Sequence, residues 1–153
     1  MFDYIMAVLA AFLFILSDLT RIISGMILAR WKRVMQAANI KYVLIVDDNP
    51  DISEVVKIIL SKAGYRAKTM EHFEPFPEQE APDVILLDLK MADQDGAKIC
   101  RQLKKKKDTR NIPVILFSAS PDVQAEALKA GADDFISKPF EINELLQKIE
   151  HVI

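Results

Sequence analysis

The chain has 153 residues, which is enough for one domain with a full core and short for two. Its 20 basic and 22 acidic side chains give a net charge of −2, so the basic excess typical of nucleic-acid-binding proteins is absent and we expect no nucleic acid partner. The single cysteine, Cys100, excludes an internal disulfide, and no zinc-ligand spacing occurs in the sequence.

Residues 1–38 differ in character from the rest of the chain, and we predict a hydrophobic N-terminal helix there. The stretch 5–29 has the length of a membrane-spanning helix, but it contains Asp18 and Arg21, which offset most of the favourable free energy of insertion. The basic cluster Arg30-Trp31-Lys32-Arg33 follows. A membrane tether through residues 5–29 would therefore place the remainder of the chain in the cytoplasm, at the inner face of the cell membrane.

Two other interpretations of this segment stay open. It can be an apolar helix that docks on the domain or dimerises, or an artefact of the chosen start codon, since Met26 and Met35 could each begin a shorter protein. A cleaved signal peptide fits less well, because the start lacks basic residues and no Ala-x-Ala site follows the apolar run.

Residues 39–153 alternate between short apolar runs and amphipathic segments, the pattern of an α/β domain. The run 83–88 places four large apolar residues between two carboxylates, which suits a central strand covered on both faces. The predicted strands are 41–46, 65–70, 83–88, 113–117 and 134–136. The predicted helices are one that begins at residue 50 and stops at 63–64, then 97–107, 122–130 and a last one from residue 142. This alternation predicts a doubly wound five-stranded parallel sheet. We expect the flavodoxin-like strand order 2-1-3-4-5, in which the ends of strands one and three would be neighbours at the switch point.

The second crossover is the irregular part of this pattern. Pro75 and Pro77 fall where a helix is expected, and proline removes a hydrogen-bond donor and clashes with the preceding turn. We therefore expect the second helix to be short or broken, and the sheet face beneath it to be thinly covered.

Polar side chains follow the predicted strands at one edge of the sheet. Asp47, Asp48, Asp88, Ser118 and Lys138 all fall at the carboxyl ends of strands, where ligands of open α/β sheets bind. Three carboxylates in one pocket repel each other unless a hard cation such as Mg²⁺ holds them. Together with an ammonium group and a hydroxyl, they make a site in which Asp88 could attack phosphorus, giving an aspartyl phosphate.

Each of these side chains has a plain structural alternative when it is considered alone. Asp88 could cap a turn, Ser118 could bond to the backbone, Phe135 could be a core aromatic and Lys138 a surface charge. Only their joint spacing favours a functional site.

The segment from Lys41 to the end resembles the receiver domain of two-component response regulators. The motifs that carry the resemblance are Val46-Asp47-Asp48-Asn49, Leu86-Leu87-Asp88, Asp95-Gly96, Phe117-Ser118-Ala119, Gly131-Ala132-Asp133-Asp134-Phe135 and Lys138-Pro139-Phe140. The resemblance implies that Asp88 is the phosphoacceptor and that Asp47, Asp48 and Asp88 hold Mg²⁺ together with the Lys90 backbone carbonyl. It also implies a histidine kinase or a histidine phosphotransfer protein as the donor.

The same resemblance assigns roles to three further residues. Lys138 is expected to pair with the phosphoryl group, and Ser118 and Phe135 match the family's switch pair. Their rearrangement would remodel the surface of the fourth helix, fifth strand and fifth helix, where a downstream protein would bind. A cis peptide bond before Pro139 is also implied. Ala92 departs from the family, which usually has proline there, and this leaves the loop after Asp88 less rigid.

We therefore expect a stand-alone phosphoacceptor receiver, since the chain ends shortly after the last predicted helix. Such a protein is not a conventional enzyme, although it assists its own phosphorylation and dephosphorylation. The first alternative is a pseudo-receiver, a docking module that is not regulated by phosphorylation. The second is a metal-dependent phosphatase, which is disfavoured because His72 and His151 lie away from the strand ends.

Overall fold

Residues 40–153 are described by a computed structural model of the protein. The predicted hydrophobic segment 1–38 and its proposed tether, residues 5–29, lie outside the described residues. Across the described part, residues 40–153, none of the helices has both the length and the apolar character that a bilayer crossing requires.

Five parallel strands form one sheet in the order β2-β1-β3-β4-β5, which confirms the predicted flavodoxin-like topology. Three of the strands, β1, β3 and β4, are buried in every residue, because helices cover both faces of the sheet. The strands are β1 Tyr42–Val46, β2 Arg66–Met70, β3 Val84–Asp88, β4 Val114–Ser118 and β5 Asp134–Ser137.

The helices begin and end at residues whose chemistry explains the boundaries. Asn49 caps the first helix by accepting hydrogen bonds from the amides of Asp51 and Ile52, and Asp95 caps the second. Gly131 ends the third in a left-handed conformation, with φ of 75°. The helices are α1 Pro50–Lys62, α2 Gly96–Lys105, α3 Val123–Ala130 and α4 Ile142–Val152.

Two hydrophobic clusters lie on opposite faces of the sheet. On one face, α1 and α4 contribute Val56, Leu60, Leu145 and Ile149. On the other face, α2 and α3 contribute Ile99, Cys100, Leu103, Val123 and Ala127. Alternate residues of each central strand point into the two clusters, so the sheet is packed on both faces.

The second crossover has no α-helix, and its regular structure is a single 3₁₀ turn at Glu78–Glu80. The predicted short helix is thus reduced to this turn, as expected where prolines remove backbone donors. Phe73 and Phe76 replace the missing helix. Their rings meet edge to face at 6.2 Å and pack against the cluster that contains α2 and α3, so aromatic side chains cover this part of the sheet.

Candidate functional site

Three carboxylates meet at the carboxyl edge of the sheet. Asp88 is the last residue of β3, and Asp47 and Asp48 follow directly after β1, the neighbouring strand. One carboxylate oxygen from each residue lies within 4.8 Å of the others. Asp47 and Asp88 are only 1% and 6% exposed, and Asp48 is half-buried. Such a concentration of negative charge away from water requires positive charge beside it.

Lys138 supplies part of that positive charge. Its Nζ donates to Oδ2 of Asp47 at 2.8 Å and to Oδ1 of Asp88 at 3.0 Å. The ammonium group also lies 4.1 Å from the centre of the Phe117 ring, a cation–π contact that helps to fix its position. Lys138 is therefore a bridge between two carboxylates rather than a surface charge.

The environment of Asp88 favours a bound proton or cation. Burial is the largest influence and raises the pKa of the Asp88 carboxyl above its ordinary value, although the hydrogen bond and charge of Lys138 act in the opposite direction. The charges of Asp47 and Asp48 raise this pKa further. One lysine thus compensates only part of the desolvation and repulsion in this cluster.

Ser118 ends β4 and is buried next to the segment that carries Lys138. Its backbone carbonyl accepts the amide hydrogen of Lys138 at 2.8 Å, while its Oγ accepts the amide hydrogen of Ser120 at 3.2 Å. The Lys138-Pro139 peptide bond is cis. The hydroxyl of Ser118 is thus held at the same edge of the sheet as the acidic cluster.

Phe135, the other predicted switch residue, lies in β5. It is half-buried and packs against the cluster formed by α2 and α3. The Lys148 ammonium lies 5.0 Å from its ring. Ser118 and Phe135 therefore occupy adjacent strands, β4 and β5.

The loop that connects β3 to α2 returns sharply to the end of β3. Lys90 and Asp95 form an isolated antiparallel bridge, and the Gly96 amide donates to the carbonyl of Leu89 at 3.0 Å. The loop is also tied to the second crossover: the Gln94 side chain accepts the Phe73 amide hydrogen at 2.6 Å and donates to the Phe73 carbonyl at 3.2 Å. Lys90 is thus positioned by backbone pairing with Asp95, two residues after the end of β3.

Ala92 contacts the acidic cluster through its backbone. Its N–H donates to Oδ2 of Asp48 at 2.6 Å, and Asp47 in turn accepts the Asn49 amide hydrogen at 2.8 Å. Sequence reasoning predicted a less rigid loop at Ala92 and missed this hydrogen bond. The signal was available, because any residue other than proline restores an N–H at that position.

Phe117 and Gln94 were also absent from the sequence-based site. A phenylalanine in an apolar strand gives no sign that a lysine will lie on its ring, and a loop glutamine gives no sign of its partner. Both contacts depend on how distant segments meet, so only the folded structure shows them.

A family model supports the geometric evidence. Residues 43–150 match the response regulator receiver domain, which is more than half of the chain. The chain belongs to this family. The matched range includes Asp47, Asp48 and Asp88, the three residues of the carboxylate cluster.

Individual relatives agree with this assignment. The chain is 34% identical to the DNA-binding dual master transcriptional regulator RpaA of Synechocystis sp., over 72% of this chain and 48% of RpaA. It spans about half the length of the curated relatives it matches.

Solved structures give the same picture. The receiver domain of a signal transduction histidine kinase from Syntrophus aciditrophicus is 34% identical, with a TM-score of 0.63 over 73% of this chain and 89% of that one. The receiver domain of the sensor histidine kinase PA1611 from Pseudomonas aeruginosa is 25% identical, with a TM-score of 0.63 over 73% of this chain and 96% of that one. The PA1611 domain has a magnesium ion coordinated in its active site cleft.

Proposed function

We propose that this receiver domain accepts a phosphoryl group on Asp88 from a histidine kinase or a histidine phosphotransfer protein. The observation that carries the proposal is the Lys138 ammonium held between Asp47 and Asp88, at 2.8 and 3.0 Å, beside a cluster of three carboxylates. This arrangement combines a nucleophile with a fixed positive charge at the place where phosphoryl oxygens would lie.

The donor set suits Mg²⁺. Carboxylate oxygens are the ligands that this hard cation prefers, and those of Asp47, Asp48 and Asp88 converge within 4.8 Å. The magnesium-containing relative PA1611 supports the same assignment. On the basis of the family resemblance, we assign the Lys90 backbone carbonyl as a further Mg²⁺ ligand. When bound, the cation offsets the negative charge of the carboxylates and of the phosphoryl oxygens.

The residues of the chain account for the transfer itself. A carboxylate oxygen of Asp88 forms a bond to phosphorus while the bond from phosphorus to the imidazole nitrogen of the donor breaks, which leaves an acyl phosphate on Asp88. The fixed ammonium of Lys138 stabilises negative charge on the transferred group. The hydroxyl of Ser118 donates a hydrogen bond to the same group.

The signalling output follows from a rearrangement of the switch pair, Ser118 and Phe135. Movement of Ser118 toward the phosphoryl group frees space for the Phe135 ring, which changes the surface formed by α3, β5 and α4. Helices α3 and α4 correspond to the fourth and fifth helices of the sequence prediction, which counts the short or broken helix of the second crossover. Leu128 on α3 is 82% exposed and gives this surface an apolar contact for a downstream protein. A phosphorylation-dependent change in this surface is the signal that the partner detects.

The organisation of the chain belongs to the same proposal. We place the receiver domain at residues 39–153 and treat residues 1–38 as a separate segment, with the receiver in the cytoplasm. A tether through residues 5–29 would hold it at the inner face of the cell membrane. Fractionation of the untagged full-length protein tests the tether, and recovery entirely in the soluble fraction would exclude it.

Phosphorylation by a small acyl phosphate tests the main proposal. Full-length protein is incubated with Mg²⁺ and acetyl phosphate, and its intact mass is measured. We expect a mass gain that is stable in acid, labile in base and absent from Asp88→Asn. Asp93→Asn is the matched control, because Asp93 is exposed in the β3–α2 loop, which follows Asp88, and lies outside the carboxylate cluster.

Two other outcomes would contradict the proposal. An absent adduct in the wild-type protein would favour a docking module that is independent of phosphorylation. Multiple turnover of an external phosphate ester would favour a metal-dependent phosphatase.

A further inference from the structure

The three carboxylates of the site are held by different groups. Lys138 pairs with Asp47 and Asp88. Among residues 40–153, the hydrogen-bond donor on the Asp48 carboxylate is the backbone N–H of Ala92, at 2.6 Å. This bond joins residues 44 positions apart, on two loops that follow neighbouring strands. Asp48 is therefore oriented by the β3–α2 loop and not by the lysine.

A hydrogen bond from an amide to an ionised carboxylate is shorter and stronger than one between neutral groups. Asp48 is half-buried, so its carboxylate has partial access to water and would otherwise sample several rotamers. A single donor on Oδ2 restricts that freedom and leaves Oδ1 available to a cation. Groups that orient a metal ligand in this way affect affinity although they never touch the metal.

The Ala92 amide is itself held in place. The neighbouring Met91 side chain is buried, and the Met91 amide donates to the carbonyl of Gln94 at 3.3 Å. Gln94 is anchored in turn to the backbone of Phe73 by two hydrogen bonds. The donor is therefore presented by a braced turn, even though the Ala92 side chain is exposed.

We propose that the backbone N–H of Ala92 is a positioning group for Mg²⁺, acting through Asp48. The inference rests on the proposed function, because Asp48 is assigned there as a metal ligand. It identifies a contribution that proline at the same position could not make, since proline has no N–H. Metal affinity in this protein would thus depend on the conformation of the β3–α2 loop.

Mg²⁺ affinity measured by calorimetry on the full-length protein tests the proposal. Ala92→Pro removes the donor, and we expect the dissociation constant for Mg²⁺ to rise about tenfold, the lower end of the range for outer-shell partners of metal ligands. Ala92→Ser retains the N–H and is expected to recover wild-type affinity. An unchanged or tighter affinity in Ala92→Pro would overturn the proposal.

A second variant separates the lost N–H from the stiffness of proline. Replacing the amide at position 92 with an ester, by incorporating lactic acid, removes the donor without introducing the proline ring and should weaken Mg²⁺ binding to a similar degree. The amide proton signal of Ala92 provides a readout without metal: it should lie downfield in the wild-type protein and move upfield in Asp48→Ala. An Ala92 signal that does not respond to Asp48→Ala would also overturn the proposal.

Failure of this inference is distinguishable from failure of the proposed function. If the wild-type protein binds Mg²⁺ and forms the Asp88 adduct while Ala92→Pro and the position-92 ester match it, only the role of Ala92 is wrong. If the wild-type protein neither binds Mg²⁺ nor forms the adduct, the proposed function itself fails.

Discussion

Gly96, the first residue of α2, lies directly against the backbone carbonyl of Asp88. A β-carbon at position 96 would overlap the Asp88 carbonyl oxygen and come within 2.9 Å of the Leu89 α-carbon. Both obstacles are backbone atoms, so neither can rotate away as a side chain would. The loop after Asp88 can return this closely only because residue 96 is glycine.

Gly96→Ala is therefore expected to lower the free energy of unfolding by about 3 kcal/mol, because the added methyl group forces backbone displacement. Gly131→Ala is the matched comparison, because Gly131 has open space around it but a φ of 75°. This variant should lose roughly 1 kcal/mol of unfolding free energy from the strained conformation alone. Urea unfolding of both variants measures the difference. Equal losses would show that steric overlap at Gly96 is relieved.

Gln94 is expected to stabilise the fold through its paired hydrogen bonds to Phe73. Gln94→Ala removes both bonds, and we expect a loss of about 2 kcal/mol, at roughly 1 kcal/mol for each bond. Gln102→Ala, at an exposed position on α2, should change stability by less than about 0.5 kcal/mol. Chemical denaturation measures both, and a similar loss in the two variants would contradict this role of Gln94.

Asp88 is expected to make stability depend on pH. Burial is the largest influence that raises the pKa of Asp88 in the folded protein, so protonated Asp88 stabilises the fold. That contribution is fully present below the unfolded pKa of about 3.9 and is lost as pH rises through the folded pKa. Ionised Asp88 therefore destabilises the metal-free protein at pH 7.

Asp88→Asn should accordingly be more stable than the wild-type protein at pH 7 in the presence of a chelator, with the difference shrinking as the pH approaches 4. Thermal unfolding across this pH range measures the trend. Asp93→Asn, which changes an exposed aspartate in the β3–α2 loop, serves as the comparison. A stability difference for Asp88→Asn that does not vary with pH would contradict the role of burial.

Cys100 is expected to be inert in the folded protein. It is fully buried between α2 and the sheet, and burial raises the pKa of its thiol to about 11. At pH 8 the thiolate fraction is then about 0.1%, far below that of a free cysteine. Alkylation by iodoacetamide should therefore be slow until urea unfolds the protein. Because Cys100 is the single cysteine, rapid native labelling would directly contradict this prediction.

The alternation of apolar runs and amphipathic segments was sufficient to predict a doubly wound parallel sheet and the approximate helices, whereas the strand order was taken from the flavodoxin-like pattern. Parallel strands bury both faces, so β1, β3 and β4 consist of continuous apolar residues that are visible in the sequence. Boundaries were less exact: the helix predicted at 97–107 spans Gly96–Lys105. Near its last turn, the Lys104 side chain makes a contact outside the helix by donating to the Ile112 carbonyl at 2.8 Å.

The candidate site divides in the same way. Five site residues could be selected from sequence, because each ends or follows a recognisable strand and parallel strands end at a common edge. They are Asp47, Asp48, Asp88, Ser118 and Lys138. The distances between these side chains and their hydrogen-bond partners could not be predicted, since they depend on loops whose paths the local sequence does not determine.

Sequence alone thus determined which strands form the sheet and which side chains reach its carboxyl edge, because both follow from residue periodicity and chain direction. Only the tertiary structure decided that Lys138 bridges Asp47 and Asp88 while Ala92 holds Asp48. It also showed that Phe73 and Phe76 replace the helix expected in the second crossover. Gln94 joins this segment to the β3–α2 loop. These contacts join residues far apart in the chain, and their geometry depends on packing of the whole domain rather than on local preference.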